Sequence, residues 1–210
     1  MTYYPIAVDL KDKNVLVVGG GTVALRKIET LLDFGAHVTV VSPCVTQDIF
    51  ELTDSGRVIL CERCYESSDV GKCALVIAAT NDKEVNLQVS ADAQTAGVPV
   101  NVVDDPELCS FIVQSVVRRG DLVISIGTGG NSPALAKRVR EKIEEVIGPE
   151  YAELTELMGE LREAAKSKIS SQSEREKLFD KVLDSDVPEL IRQGKREEAQ
   201  KLAFFMLLSF

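Results

Sequence analysis

The sequence predicts an α/β protein. A Rossmann-type, doubly wound parallel sheet is followed by a small central dimerisation region and a C-terminal helical domain. Three observations predict this. Runs of five to seven residues, apolar throughout, alternate with helical patterns over 1–113, as a parallel sheet covered on both faces requires. A glycine-rich turn follows the first of these runs. The strand pattern changes after Asp104 and disappears after Pro149. The predicted division is 1–113, 114–147 and 148–210.

Taken in order, NVLVVG (14–19) is a buried strand that ends in glycines. Val23, Ile28, Leu31 and Leu32 then recur at near-helical spacing until Gly35. HVTVVSP (37–43), RVILC (57–61) and ALVIAAT (74–80) are the next three strands. A helix over about 82–96, ended by Gly97, leads into VPVNVV (98–103), the fifth. FIVQSVVRRGDLVISIG (111–127) predicts two strands joined at Arg119-Gly120-Asp121. GTGGNSP (127–133) opens a helix over 133–147, with Ser132 as N-cap and Pro133 in the first helical position. Tyr151, Leu154, Leu157, Met158 and Leu161, and later Leu178, Phe179, Val182 and Leu183, repeat every three or four residues.

Composition narrows the class. The 210 residues are 45% hydrophobic and 27% charged, with a formal charge of −9, an ordinary globular composition that argues against disorder and non-specific nucleic-acid binding. The longest apolar run, LAFFMLLSF at 202–210, is half a membrane span. It is expected to dock on the protein or in a homodimer. MTYYPIAVDLKDK at the start has no basic leader or apolar core, so the reading is a cytoplasmic protein without membrane attachment. Five scattered cysteines suit a reducing compartment better than a disulfide framework. Cys61 and Cys64 form one C-x-x-C, and the single histidine, His37, is far away in sequence. Both are read as structural.

The chemistry starts at VVGGGTVALRK (17–27). Gly19, Gly21 and Ala24 satisfy G-x-G-x-x-A between a strand and a helix, so Gly19 allows the tight turn, Gly21 a close backbone approach to a pyrophosphate, and Ala24 close helix–sheet packing. Thr22 and Val23 then open the helix whose N-terminus faces the anion. The acidic residue expected about 20 residues on is replaced by Val41-Ser42-Pro43. NAD is the predicted cofactor, with Ser42 bonding a ribose hydroxyl.

Ligands bind beyond the carboxyl ends of parallel strands. Those ends carry Gly19–Gly21, Ser42-Pro43-Cys44, Thr80-Asn81 and Asp104-Asp105. Asp104 is placed on the nicotinamide side, where it is either the general base for the proton lost with a hydride or a turn residue before Asp105-Pro106. A second constellation spans 115–142. Arg118, Arg119, Lys137, Arg138, Arg140 and Lys142 against Asp121 and Glu141 give a local +4, leaving −13 for the rest. With Thr128, Gly129, Gly130, Asn131 and Ser132 at a helix start, Arg118 and Arg119 are read as a cradle for a carboxylate-rich ligand.

VVGGGTVALRK, GAHVTVVSP (35–43), VIAATND (76–82), VNVVDDPELCSFIV (100–113) and ISIGTGGNSPALAKRVREKIE (124–144) together resemble the precorrin-2 dehydrogenase family, which is also the N-terminal module of sirohaem synthases. The likeness covers about 3–147 and extends loosely into the helical tail. It implies NAD-dependent oxidation of precorrin-2 to sirohydrochlorin. In members that also insert ferrous iron, iron is a substrate and Asp104 the implied residue for both steps. It implies further that Thr22, Val23, Pro43 and Cys44 contact NAD and that the protein is a homodimer. An octacarboxylate substrate accounts for the basic patch. Gln114 replaces an expected proline and Thr128 a frequent serine. With no room for a methyltransferase module in 210 residues, methylation is assigned to a separate upstream enzyme. Two readings stay open beside this one: a non-catalytic NAD-sensing regulatory module, and another small-molecule NAD(P) oxidoreductase.

Overall fold

The computed structural model describes residues 3–209. Its chain packs as two compact units, divided between Val113 and Gln114. In the first, five parallel strands, β1 (Asn14–Val18), β2 (His37–Val41), β3 (Val58–Cys61), β4 (Leu75–Ala78) and β5 (Val100–Val102), take the order β3-β2-β1-β4-β5. Helix α1 (Thr22–Asp33) and helix α2 (Gln47–Asp54) cover one face, against Val15, Val17, Val38, Val40 and Ile77. Helix α3 (Lys83–Ala96) covers the other, with Val89 and Ala93 against Leu16, Val18, Val76 and Val100. Because both faces are buried, both parities of a strand run largely apolar, and the buried Asn101 of β5 is satisfied by a bond to the Phe111 carbonyl.

The order reverses between β1 and β4, the position at which doubly wound sheets open a ligand crevice. α3 is placed by its ends: the Asp82 carboxylate accepts from the Glu84 and Val85 N–H groups, and Gly97 closes the helix in the left-handed region. The short α2 had no counterpart in the sequence reading; it is eight residues long with only Ile49 buried, so it carries almost no periodic signal. Between β3 and β4 the chain makes only a 3-10 turn at Ser67–Asp69. Two hydrogen bonds from Arg63 to Asp69, of 2.8 and 2.6 Å, brace it.

The second unit begins with an antiparallel hairpin, β6 (Ser115–Arg119) and β7 (Leu122–Ile126), followed by α4 (Pro133–Val146). Helices α5 (Glu150–Lys168), α6 (Gln172–Leu183), α7 (Val187–Arg192) and α8 (Arg196–Leu208) share a core of Leu157, Leu161, Leu178, Val182, Val187, Ile191 and Ala203. The hairpin belongs to this unit: Arg119 Nε donates to the Ile147 carbonyl at 3.0 Å, and a Cβ at Gly120 would lie 3.2 Å from that of Ala152. The apolar terminus docks within the chain. Ala199, Ala203 and Leu207 are buried, while Phe205 is 66% and Leu208 72% exposed. Phe210 lies outside the described residues.

Candidate functional site

The carboxyl edge of the sheet is built by close packing of main chain. At Gly19, φ is 125°, and an added Cβ would meet the Ala79 carbonyl oxygen at 2.3 Å. The loops after β1 and β4 therefore touch at the switch point. A Cβ on Gly20 would meet the Cys44 carbonyl oxygen at 2.1 Å, so the middle residue of the motif is as constrained as the first. The sequence reading assigned Gly20 no task; three consecutive glycines were the available signal.

Gly21 differs: an added Cβ would meet nothing within 4 Å. It is the N-cap of α1 and has no side-chain cap, and no acidic residue lies in the first turn. The first main-chain bond of the helix is Leu25 N–H to the Gly21 carbonyl. The N–H groups of Thr22, Val23 and Ala24 thus point from a positive helix end with no partner among the described residues. An anion such as a dinucleotide diphosphate fits this cradle.

The flanking residues divide by burial. Ser42 is buried, and its hydroxyl donates to the Cys44 carbonyl at 2.6 Å. The hydroxyl hydrogen is thus committed to bracing the loop beneath Gly20, and the oxygen keeps its acceptor lone pairs. Pro43 and Cys44 are exposed beside it. Thr80 closes the start of α3, its hydroxyl accepting from Asp82 N–H at 3.0 Å and lying 3.2 Å from Asn86 Oδ1.

Asp104 follows β5, which lies two places from β1 in the sheet, or about 10 Å at the usual strand spacing. It is exposed and holds φ at 61°, the left-handed region that non-glycine residues seldom occupy. The loop that presents it is tied down on several sides. The Cys109 thiol accepts from Val102 N–H at 3.1 Å and lies 3.2 Å from the Val102 and Asp105 carbonyls. Asn101 donates to the Phe111 carbonyl, and Ser90 to that of Leu108. Burial pushes the Cys109 thiol above its ordinary pKa, which keeps it a neutral pin. On α1, Lys27 is half-buried, and burial lowers its pKa while the Asp104 carboxylate opposes that shift. Sequence reasoning missed Lys27, because position 27 falls inside an ordinary helix pattern.

The second unit does not gather its predicted residues. Register pairs Arg119 with Leu122 and Ser115 with Ile126. Arg118 and Arg119 therefore sit at the hairpin turn, while 127–132 leaves the opposite end, about 14 Å away along β7. The single cradle expected of these residues is two places. Arg119 is occupied with the Ile147 carbonyl, at the C-terminal end of α4. The glycine loop is largely satisfied internally. Thr128 Oγ1 accepts from Ser132 N–H, the Thr128 carbonyl from Asn131, and Ser132 Oγ from Leu135 N–H. Gly129 and Gly130 stay exposed. On α4, Lys137 and Arg140 pair with Glu141 and Glu144 at 3.8 and 2.7 Å, so the local positive charge is smaller than its count.

Comparison with known proteins decides the family. Residues 6–115 match an NAD(P)-binding family, 119–145 the sirohaem biosynthesis protein central region, and 150–204 the sirohaem synthase dimerisation region. This chain belongs to the NAD(P)-binding family that residues 6–115 match, and it carries regions similar to the central and dimerisation regions of sirohaem synthases. The family's dimerisation region falls on α5–α8, whereas the sequence reading gave that role to 114–147. The chain is 39% identical over 202 residues to a siroheme synthase of Pseudoalteromonas atlantica, covering 96% of this chain and 44% of that protein. A siroheme synthase of Methylobacillus flagellatus is 40% identical over 209 residues, again at 44% of its length. The chain thus spans less than half of these relatives. Among solved structures, SirC, a precorrin-2 dehydrogenase, superposes with a TM-score of 0.76 at 27% identity, covering 99% of this chain and 100% of its own.

Proposed function

We propose that this protein is an NAD-dependent dehydrogenase that oxidises precorrin-2 to sirohydrochlorin. The observation that carries this reading is the end-to-end likeness to SirC, which spans both chains. The site geometry agrees with it. Bound NAD supplies a hydride acceptor. Gly19 and Gly21 with the N–H groups of Thr22 and Val23 bind its diphosphate, Pro43 and Cys44 flank its adenosine end, and the Thr80 loop lies on the nicotinamide side. Removing two hydrogens from the tetrapyrrole releases one hydride and one proton. Asp104 accepts that proton at a carboxylate oxygen. Its left-handed backbone costs on the order of 1 kcal/mol, as strained residues at functional sites do.

We assign the enzyme to the cytoplasm, as a homodimer through α5–α8, with a separate upstream methyltransferase supplying substrate. Among the described residues no helix is long and apolar enough to cross a membrane. Gly129, Gly130, Asn131 and Arg118 are the members of the second constellation we retain as substrate contacts.

The test is anaerobic turnover of freshly made precorrin-2 with NAD, following NADH and sirohydrochlorin together. One NADH per sirohydrochlorin is the expected result. Binding of NAD without product would remove the dehydrogenase reading and favour a regulatory NAD sensor.

A further inference from the structure

One lysine of the first unit, Lys27 on α1, is half-buried, whereas the other lysines of that unit among the described residues are exposed. Helix α1 buries Ala24, Ile28 and Leu31 in the cluster that also holds Val103 and Phe111. Asp104 follows Val103 directly and Lys27 precedes Ile28 directly, so the two charged residues flank members of one packed cluster. Lys27 is half-buried, yet no hydrogen bond or ion pair within 4 Å engages its ammonium among the described residues. Other shielded cations are paired: Arg63 with Asp69 at 2.6 Å, Arg140 with Glu144 at 2.7 Å, Arg196 with Glu160 at 3.0 Å. Burial lowers the Lys27 pKa, and the Asp104 carboxylate opposes that shift. A cation that loses water without gaining a close counterion is costly, and that cost is met where a ligand supplies the counterion.

We propose that Lys27 is a substrate-binding residue whose ammonium pairs with a carboxylate of the bound tetrapyrrole, next to Asp104. The inference rests on the dehydrogenase reading above. It adds a contact from the cofactor-binding unit itself. A compact ammonium suits a single carboxylate, and a chain of net charge −9 needs local cations to hold a polycarboxylate. The diphosphate is the less fitting partner. Lys27 lies five residues into α1 from Thr22, about 7.5 Å along the axis and past the free N–H groups.

The experiment compares the parent with Lys27→Met and Lys27→Gln, measuring binding of NAD and of sirohydrochlorin separately. Both variants are expected to bind NAD as the parent does and to melt at the same temperature or higher, since an uncompensated cation has gone. Sirohydrochlorin binding weakens at least tenfold in both and loses part of its salt dependence. Sirohydrochlorin affinity within twofold of the parent in either variant, with NAD binding intact, overturns the proposal. Weakening of NAD by the same factor reassigns Lys27 to the cofactor and overturns it too. If the parent itself binds NAD but neither oxidises precorrin-2 nor binds sirohydrochlorin, the function reading has failed, which is a different outcome.

Discussion

Two glycine-rich turns in this chain open a helix, and they do opposite things with the helix end. The turn at 19–21 is held by main chain, through the Ala79 and Cys44 carbonyls, and leaves the first N–H groups of α1 without a cap. The turn at 127–132 is held by its own side chains: Thr128 Oγ1 takes the Ser132 N–H, Ser132 Oγ caps the Leu135 N–H of α4, and Pro133 has no N–H to offer. Both read as anion sites from glycine content and helix position. What separates them is where the donors go. A helix start becomes a binding site when the fold, rather than a local hydroxyl, fixes its geometry.

The largest effect expected from this contrast is on folding. Gly19→Ala or Gly20→Ala must move the Ala79 or Cys44 main chain and should cost at least about 2 kcal/mol, read by chemical denaturation. Gly21→Ala sharpens the point. Its Cβ enters open space, so stability should change by less than about 1 kcal/mol, while NAD binding by calorimetry should weaken more than tenfold as the methyl fills the anion's approach. Ser132→Ala is the counterpart at α4. It should lower stability by about 1 kcal/mol and leave NAD affinity unchanged; a loss of NAD affinity would end the distinction between the turns. Arg119→Met should cost about 1–2 kcal/mol in the same denaturation assay, since it orphans the Ile147 carbonyl.

The smallest effect lies outside both turns and depends on pH. Hydrogen bonds from Arg63, then from the Glu66 N–H, hold the Asp69 carboxyl below its ordinary pKa. A carboxyl whose folded pKa is depressed stabilises the fold above its unfolded value, about 3.9, and that contribution is lost as pH falls through the folded value. Melting temperatures of parent and Asp69→Asn should therefore differ most near pH 7, begin to converge below about pH 4 and meet only below the depressed folded value. A constant gap would show that the pair acts by packing alone.

The sheet was legible because parallel strands buried on both faces are apolar at almost every position. Val15 through Val18 and Leu75 through Ala78 are buried without interruption. The same logic could not reveal α2, where one buried side chain leaves no period. Asp104 was legible as a residue at a strand end, but its left-handed backbone was not, since the bonds that hold its loop, from Asn101, Cys109, Ser90 and the Asp105 main chain, are made in three dimensions. The basic segment misled because sequence proximity puts Arg119 and Gly127 eight residues apart, and hairpin register then sends them to opposite ends. The donation from Ser42 to the Cys44 carbonyl was not legible either, because it depends on the close approach of Gly20 to Cys44. Lys27 carries no motif at all; its isolation from counterions exists only in three dimensions.

The most direct test of the account is single-turnover oxidation of precorrin-2 by the NAD-loaded protein, comparing the parent with Asp104→Asn. Asparagine tolerates the left-handed turn and nearly matches the shape of aspartate, so folding and NAD affinity should be unchanged. The hydride-transfer rate should fall by 10²–10⁴, the range expected for a lost general base. A variant that forms NADH and sirohydrochlorin at the parent's rate would contradict the assignment of the proton to Asp104.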